Sequence, residues 1–386
     1  IHLLFSLLES FSVMATLRDN LIRLSKSFLE ALQFEAETPQ RQISIKSELQ
    51  SLLLLDEEQD EDVIKDKFIL ACALLSSSIS STYHHLSKVP RNLALEAGAS
   101  FKTLPNPNSE AMRRVILLLK DKITETSIKG DEISAACARA PVEHAILAAN
   151  QFRWLVTEVK GEQLGRLTQV IIPCGLSSLD HWSPEVKQQG MIAFVHLASN
   201  VNASSLHLYE DAILDACCSN LAAADEIWES AVEATVSVVT IIRNPRSHWL
   251  EKLMSEMITH LERQPGNRDR RIGWLKFVDP MMEKMGLLLL SHFKRLFPLF
   301  FVWIRSGDEE TVLLSLQRVR TAIRVTWMRH VSHVGRLVDE LALLNKEAAV
   351  GQTIRDQIAS LISVLRRCEN PRFEEAWLAN RASFAL

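Results

Sequence analysis

The chain has 386 residues, of which 47% are hydrophobic, and its formal net charge is −4 at pH 7. A chain of this length and composition can bury a large core in one or two domains. It has no basic excess, which argues against a general nucleic-acid binder because such binding depends on neutralising phosphates. Only 12 Gly, 12 Pro and 2 Tyr are present, and this favours helices over short strands and tight turns.

The first 13 residues, IHLLFSLLESFSV, are apolar but have no basic beginning, and one acidic residue interrupts them. This pattern fits a secretory signal poorly. Met14 opens an amphipathic stretch that is typical of an ordinary protein start, so we interpret residues 1–13 as upstream sequence or as an extension. Elsewhere the longest apolar patch, Met285–Leu290, lies between Lys284 and His292. We therefore expect no membrane span and no membrane partner.

The N-terminal part reads as a series of helices. Apolar residues recur at helical spacing in Thr16–Phe34, and Ile43–Leu55 and Val63–Ser81 are further helical runs. The acidic segment Asp56–Asp62 is interpreted as a solvated loop or helix start. A docking patch for a basic partner is the alternative for that segment.

A cluster of prolines with one glycine follows in Val89–Asn108. Such residues interrupt helices and mark loops. We therefore predict an N-terminal helical region over residues 1–104 and a repeat array over residues 105–386.

Two stretches of this array share one layout. In the first stretch, Pro173 lies in a helical run and Val186 follows a turn. In the second stretch, within His292–Arg329, Pro298 is equivalent to Pro173 and Val312 is equivalent to Val186. The two prolines are 125 residues apart, and three units of about 42 residues would fill that distance within the usual HEAT range. A helical hairpin with one apolar face on each arm needs neighbours to bury both faces. The layout therefore predicts an all-α fold, an α-solenoid of antiparallel helical hairpins of the HEAT/armadillo-like kind.

Further helical pairs can be placed between and after these two stretches. Each pair consists of two apolar-periodic runs separated by a polar or proline-containing turn. They are Leu206–Leu221 with Ala224–Ile242, Trp249–Leu261 with Arg271–Leu290, and Gly335–Lys346 with Gln352–Arg367, followed by a short capping helix or tail at Phe373–Phe384.

Catalytic and metal-binding motifs are missing from the sequence. It contains no GxSxG, P-loop, GxGxxG after a strand, or HExxH. The six cysteines include no CxxC pair, so we do not expect a zinc site. We expect buried free thiols in a reducing compartment instead. We expect no catalytic residue, no cofactor and no metal, and hence a protein that is not an enzyme. An enzyme whose site forms no recognisable motif is the alternative.

Two basic clusters are candidate binding groups. The segment RQPGNRDRR contains Arg268, Arg270 and Arg271, whose guanidinium groups suit bidentate pairing with a carboxylate or a phosphate. The other interpretation of this segment is a solvated loop. Arg320 and Arg324, spaced i, i+4, share a face of a predicted helix, which either covers a ridge between repeats or contacts a partner.

Tryptophan is frequent, with eight residues in the chain. In repeat helices most tryptophans belong to the core between repeats, whereas one or two exposed rings would be binding anchors. Trp303 and Trp327 lie on the two arms of the His292–Arg329 hairpin, with Asp308 in its turn. The sequence does not separate core rings from anchors.

The stretch LFPLFFVWIRSGDEETVLLSLQRVRTAIRVTWMR resembles the C-terminal block of the Tel-two-interacting protein family. In that family a proline-containing apolar helix is followed by an Asp turn and a Leu-rich helix that ends in Trp-Pro-Arg. Met328 stands here where the family has the proline. The similarity covers His248–Arg329 well and Leu164–Ile242 loosely. The matching residues are Pro298, Trp303, Asp308, Leu313, Leu314, Leu316, Trp327 and Arg329.

This resemblance implies a non-enzymatic scaffold in the Triple-T co-chaperone complex. That complex works with the Hsp-ninety system to mature and stabilise phosphatidylinositol-3-kinase-related kinases. The implied partners are the other Triple-T subunits, chaperone machinery and large kinases, in the cytoplasm and also the nucleus. The alternative is a generic HEAT/armadillo adaptor for nuclear transport or phosphatase assembly. The candidate partner-binding residues are Trp303, Asp308, Arg320, Arg324, Trp327, Arg329, Arg268, Arg270 and Arg271.

Overall fold

The computed structural model describes residues 16, 18–24, 26, 45–53, 60–84, 86–104, 109–125, 141–222, 225–241, 248–327, 331–347, 351–368 and 370–384. Within these ranges the regular elements are helices and no strand occurs, which confirms the predicted all-α fold class. Predictions that concern residues 1–13, Cys137 and Arg329 lie outside the described residues. So do the first four residues of Asp56–Asp62.

The chain divides into two compact units, with the division between Tyr209 and Glu210. The predicted boundary after residue 104 lies within the first unit and stays a prediction. The described helices of the first unit are α1 (Ile45–Leu53), α2 (Glu61–Ser77), α3 (Arg91–Lys102), α4 (Ser109–Glu125), α5 (Val142–Glu158), α6 (Gly161–Leu179), α7 (Pro184–Asn200) and α8 (Ala203–Leu206).

Helices of the first unit pack as neighbouring hairpins. Helix α4 contacts α5, and α6 contacts α7. Helix α5 also packs between α2 and α7, while α4 packs against α6. Each helix therefore buries its apolar face on its partner in the hairpin and on the hairpins before and after it.

The second unit contains the longer series of helices. They are α9 (Glu210–Leu221), α10 (Trp228–Ile241), α11 (His248–Arg263), α12 (Arg268–Phe277), α13 (Asp279–Met285), α14 (Phe293–Ile304), α15 (Glu309–Thr326), α16 (Val331–Lys346), α17 (Gln352–Arg367) and α18 (Pro371–Phe384). A 3-10 segment, Gly286–His292, joins α13 to α14.

The helices of the second unit form two rows. Helices α9, α11, α14, α16 and α18 contact one another in that order, and we call them the first row. The second row follows the order α10, then α12 with α13, then α15, then α17. Successive helices alternate between the rows, which is the arrangement of an α-solenoid. The predicted solenoid of helical hairpins is confirmed.

Two prolines that the sequence singled out lie inside helices. Pro173 is within α6, and Pro298 is within α14. A proline in a helix interior removes one backbone hydrogen bond and bends the helix. Both helices are the first arm of a hairpin, as the shared layout predicts.

Side-chain caps begin two of the second arms, α12 and α15. The side chains of Asn267 and Asp308 accept hydrogen bonds from the backbone N–H groups three residues later, at the starts of α12 and α15. Such caps satisfy donors that a helix leaves free at its beginning. At the start of α7, Pro184 occupies the first turn as predicted, but the Ser183 hydroxyl donates to the Glu185 carboxylate at 2.6 Å instead of capping the helix.

One helical stretch, Asp279–Ile304, is long and apolar enough by composition to cross a membrane. The stretch has 26 residues, and 56% of its most apolar window is buried inside the protein. It is interrupted at Gly286, whose φ of +53° lies in the left-handed region. Core helices pass the same compositional test, and the packing of α13 and α14 between their neighbours accounts for the apolar character.

The α6–α7 hairpin depends on a close approach at Gly190. A Cβ atom at this position would lie 2.8 Å from the Ser178 Cβ and 3.2 Å from the Gly175 carbonyl oxygen. Gly165, also in α6, has no atom within 4 Å of the equivalent Cβ.

We expect Gly190→Ala to lower the free energy of unfolding by about 1–3 kcal/mol, because the added methyl group overpacks this crossing. Gly165→Ala is the matched control and should raise it by up to about 1 kcal/mol, because alanine favours the helix. Urea unfolding followed by circular dichroism measures both. Equal effects of the two substitutions would contradict the packing of α6 on α7.

His181 in the α6–α7 turn is fully buried, and its Nδ1 accepts a hydrogen bond from the Ser183 backbone N–H at 3.0 Å. Burial and the nearby Lys187 charge lower the pKa of His181 to about 4, against a smaller opposite effect of Glu185. Acceptance at Nδ1 requires the neutral ring.

Because the unfolded chain binds this proton more readily, the free energy of unfolding should fall as the pH drops from about 6.5 to about 4. His181→Asn removes the titrating ring but keeps an acceptor, so the variant should show a flatter pH dependence in that window. The exposed His207 gives the control, and His207→Asn should keep the wild-type slope. Urea unfolding at four pH values makes the comparison, and identical slopes for wild type and H181N would refute it.

Candidate protein-binding surface

Of the described residues among the predicted partner-binding set, all except Trp303 lie on second-row helices of the second unit or at their ends. Asp308 caps α15 and also forms an ion pair with Arg268 of α12, at 3.1 Å between Arg268 Nε and Asp308 Oδ2. Arg268 also reaches Glu310, at 2.7 Å. Hydrogen bonds from Thr311, and then the Arg268 charge, hold the pKa of Asp308 below its ordinary value. These contacts join the beginnings of two neighbouring second-row helices.

The other two cations of the α12 cluster are also engaged within the array. Arg270 is buried, forms an ion pair with Asp225, and places its guanidinium carbon 4.8 Å from the Trp228 ring centroid. Arg271 donates from Nε to the Thr311 hydroxyl at 3.0 Å. The hypothesis that Arg270 contacts a partner directly is therefore not retained, because its side chain is enclosed.

The second half of α15 carries a further set of polar contacts, to α13 and to α17. Thr321 donates to Asp279 at 2.7 Å, Arg324 forms an ion pair with Glu283, and Arg320 donates to the Ser360 hydroxyl at 3.2 Å. The partners in these contacts are 40–42 residues apart in sequence, which is one repeat. Each contact therefore aligns a second-row helix with the next one.

Trp303 belongs to the core. Its side chain has 0% exposure, and its ring centroid lies 5.8 Å from that of Trp274 and 5.8 Å from that of Phe300. The first and second rows close around these rings. The expectation that Trp303 is a partner-binding anchor is corrected, because no part of the ring reaches the surface.

Trp327 has the opposite environment. It ends α15 in the left-handed conformation, with φ of 47° and ψ of 38°, and 71% of the residue is exposed. Glycine or asparagine usually takes this position at a helix end, and a bulky side chain there costs about 1–3 kcal/mol of backbone strain. A strained tryptophan that gains little from burial is a feature typical of binding sites.

The contacts between helices show what lies beside Trp327. Glu283, near the end of α13, pairs with Arg324 near the end of α15, and the 3-10 segment that follows α13 and contains Leu287 also contacts α15. Leu287 is exposed as well. The Arg320–Ser360 contact likewise places Arg367, at the end of α17, at this end. We call Leu287, Arg324, Trp327 and Arg367 the C-terminal edge.

The C-terminal edge combines exposed apolar and cationic groups. Two of its members, Arg324 and Trp327, were predicted from the sequence, whereas Leu287 and Arg367 were not. Leu287 belongs to the apolar run Met285–Leu290, directly follows the break at Gly286, and is exposed. An exposed tryptophan with flanking arginines is the composition that binding hot spots favour.

Reactive groups outside this surface are few among the described residues. No group of three His, Cys, Asp or Glu residues there is arranged to hold a metal ion. Burial raises the pKa of Cys72 and Cys174 and raises that of Cys217 to about 12, so these thiols stay protonated near neutral pH. The predicted buried free thiols are confirmed at these three positions, while Cys218 and Cys368 are half-buried.

The amino-acid sequence is similar to that of a plant protein. No protein-family model matches it. The chain is 46% identical over 405 residues to an Arabidopsis thaliana protein described as "Uncharacterized protein At2g39910", with 96% of this chain and 93% of the relative covered. That relative does not carry the Tel-two-interacting name, so the resemblance to that family stays a prediction.

Two solved structures give weaker likenesses. A crystal structure of an engineered protein matches with a TM-score of 0.48 and 12% identity, covering 97% of this chain and 89% of that one. The crystal structure of Kap121p matches with a TM-score of 0.35 and 10% identity, covering 94% and 45%. The fold assignment rests on the helix packing described above.

The two tryptophans of one hairpin should respond differently to truncation. Trp303→Ala should lower the free energy of unfolding by about 3–5 kcal/mol, because it leaves a cavity in the core. Trp327→Ala should change it by less than about 1 kcal/mol, because the ring is exposed. Trp327→Gly should be at least as stable as wild type, since glycine adopts the left-handed conformation without strain. Urea unfolding of the three variants tests this, and similar losses for W303A and W327A would contradict it.

Proposed function

Since the chain belongs to the family of the Arabidopsis thaliana protein At2g39910, we propose that it is a non-enzymatic helical-repeat scaffold that binds other proteins. The observation that carries this proposal is Trp327, which is 71% exposed in a left-handed conformation. Stacked helical hairpins present extended surfaces, and such surfaces suit protein partners more than small substrates.

The arginines at the C-terminal edge support a protein partner with acidic groups. Arg324 is largely exposed although it pairs with Glu283, and Arg367 is exposed at the end of α17. Exposed ion pairs contribute little to stability. These cations are therefore available to contact a carboxylate on a partner while Trp327 packs against an apolar side chain.

A more specific assignment is a subunit of the Triple-T co-chaperone complex. In this proposal the scaffold binds the other two subunits and supports the maturation and stability of phosphatidylinositol-3-kinase-related kinases in the cytoplasm and the nucleus. Its support is the resemblance of the His292–Arg329 stretch to the Tel-two-interacting family. Trp327, which belongs to that stretch, is also its most exposed tryptophan among the described residues.

Affinity purification of the tagged full-length chain from plant cells, followed by mass spectrometry, tests this function. We expect the wild-type chain to recover the other Triple-T subunits and the large kinases. Trp327→Ala should reduce their recovery at least about tenfold if the ring is a hot spot. Trp182→Ala is the matched control, because Trp182 is a half-exposed ring in the first unit, and it should recover wild-type amounts.

Two results would count against the proposal. Recovery of a small GTPase, nuclear pore proteins or phosphatase subunits in place of the Triple-T partners would support the generic adaptor instead. Equal recovery with W327A and wild type would show that the C-terminal edge is not the binding surface. Thermal unfolding of each variant ensures that a loss of binding is not a loss of folding.

A further inference from the structure

A second surface lies at the far end of the second unit, between α17 and α18. A cavity of about 580 Å³ opens there. Its polar lining includes Gln352, Ser363 and Arg366, and its apolar lining includes Ile362, Trp377 and Phe384. We call this cavity the terminal groove. It shares no residue with the C-terminal edge.

The terminal groove contains an arginine without an acidic partner. The Arg366 guanidinium carbon lies 4.8 Å from the centroid of the Trp377 ring, and within the described residues no ion pair or hydrogen bond engages its side chain. Stacking on an aromatic face leaves the N–H groups at the edge of a guanidinium free to pair with a carboxylate. This differs from Arg268, Arg318 and Arg324, each of which pairs with an acidic residue of a neighbouring helix.

The apolar wall beside Arg366 is ordered by ring stacking. The Trp377 ring stacks on Phe373, at 5.9 Å between centroids, and on Phe384, at 5.0 Å. Phe373 is fully buried, whereas Trp377 and Phe384 are half-buried. The rings are therefore held from the core side and present a fixed apolar surface to the groove.

The position of the groove in the repeat indicates the shape of its occupant. Helix α17 contacts α15 on one side, where Ser360 accepts from Arg320. Its opposite side, with Ala359, Ser363 and Arg366 at i, i+4 and i+7, lines the groove. Along the second row, the side of a helix that faces forward packs against another helix. The groove thus has the boundaries of a site for a helix.

We propose that the terminal groove binds an amphipathic helix of a partner protein, with an acidic side chain pairing with Arg366 and an apolar side chain packing on Trp377 and Phe384. We expect an acidic side chain on the partner helix because Arg366 has no ion-pair partner within the described residues. The carboxylate in the groove lining, Asp356, accepts a hydrogen bond from Gln352 at 2.9 Å. Helix-in-groove binding of this kind uses apolar residues at i, i+3, i+4 and i+7. The pairing would repeat the carboxylate–guanidinium contacts that link the second-row helices.

Selection of a phage-displayed library of 16-residue amphipathic helical peptides on the full-length chain tests this proposal. We expect enriched peptides to carry Glu or Asp one turn from two apolar residues. In fluorescence polarisation with the best synthetic peptide, Arg366→Glu should weaken binding at least about tenfold by charge reversal. The matched control is Arg372→Glu, which reverses an equal charge at an exposed position of α18 outside the groove lining and should change binding less than twofold.

A second experiment exchanges the charges of the peptide and of residue 366. A peptide with its acidic residue replaced by Arg should bind R366E better than it binds the wild-type chain. Arg366→Gln should give an intermediate loss, and all variants should unfold at the wild-type temperature because Arg366 is exposed. Failure to enrich acidic peptides, or equal losses for R366E and R372E, would overturn the proposal.

The alternative occupant of the terminal groove is a second copy of the chain. Sedimentation equilibrium that shows a dimer lost in R366E would assign the groove to a second copy of the chain and overturn the partner helix. Trp327→Ala should leave peptide binding unchanged, because the C-terminal edge is a separate surface. The terminal groove and the proposed function can therefore fail independently.

Discussion

Each helix in the second row of the second unit has an apolar face that its neighbours one repeat away must cover, and the rest of that unit follows from this constraint. Trp228, Trp274 and Trp303 are fully buried between successive hairpins. The Trp228 indole N–H donates to the Arg270 carbonyl of the next repeat at 2.8 Å. Burial of such large side chains is the main stabilising contribution.

The ion pairs between repeats have a different role. Exposed pairs such as Arg324–Glu283 contribute at most about 1 kcal/mol each, but they recur at one repeat's separation and fix the alignment of neighbouring helices. That alignment brings the ends of α13, α15 and α17 together. The apolar core therefore stabilises the array, while the ion pairs and hydrogen bonds between repeats align the helix ends that form the C-terminal edge.

Much of this architecture could be predicted from sequence because it is local. The Pro173 and Pro298 layouts predict hairpins, and the structure confirms the solenoid. Burial was not predictable in the same way. Trp303 and Trp327 both lie in helical, apolar contexts, but one ring is enclosed by Trp274 from the preceding repeat and the other ends its helix in the left-handed conformation. Whether a side chain is buried or exposed depends on residues in the neighbouring repeat, and a periodic sequence pattern does not identify those residues.

The arginines of the second unit differ in how their charges are neutralised. The sequence drew attention to the Arg268–Arg271 cluster because its cations are dense, yet their charges are engaged by Asp225, Asp308 and Glu310 of the neighbouring helices. Arg366 lies outside that cluster, and within the described residues no ion pair neutralises its charge. The dense cluster of cations therefore forms contacts between repeats, whereas the guanidinium of Arg366, stacked on Trp377, is the group that we propose pairs with a carboxylate of a partner.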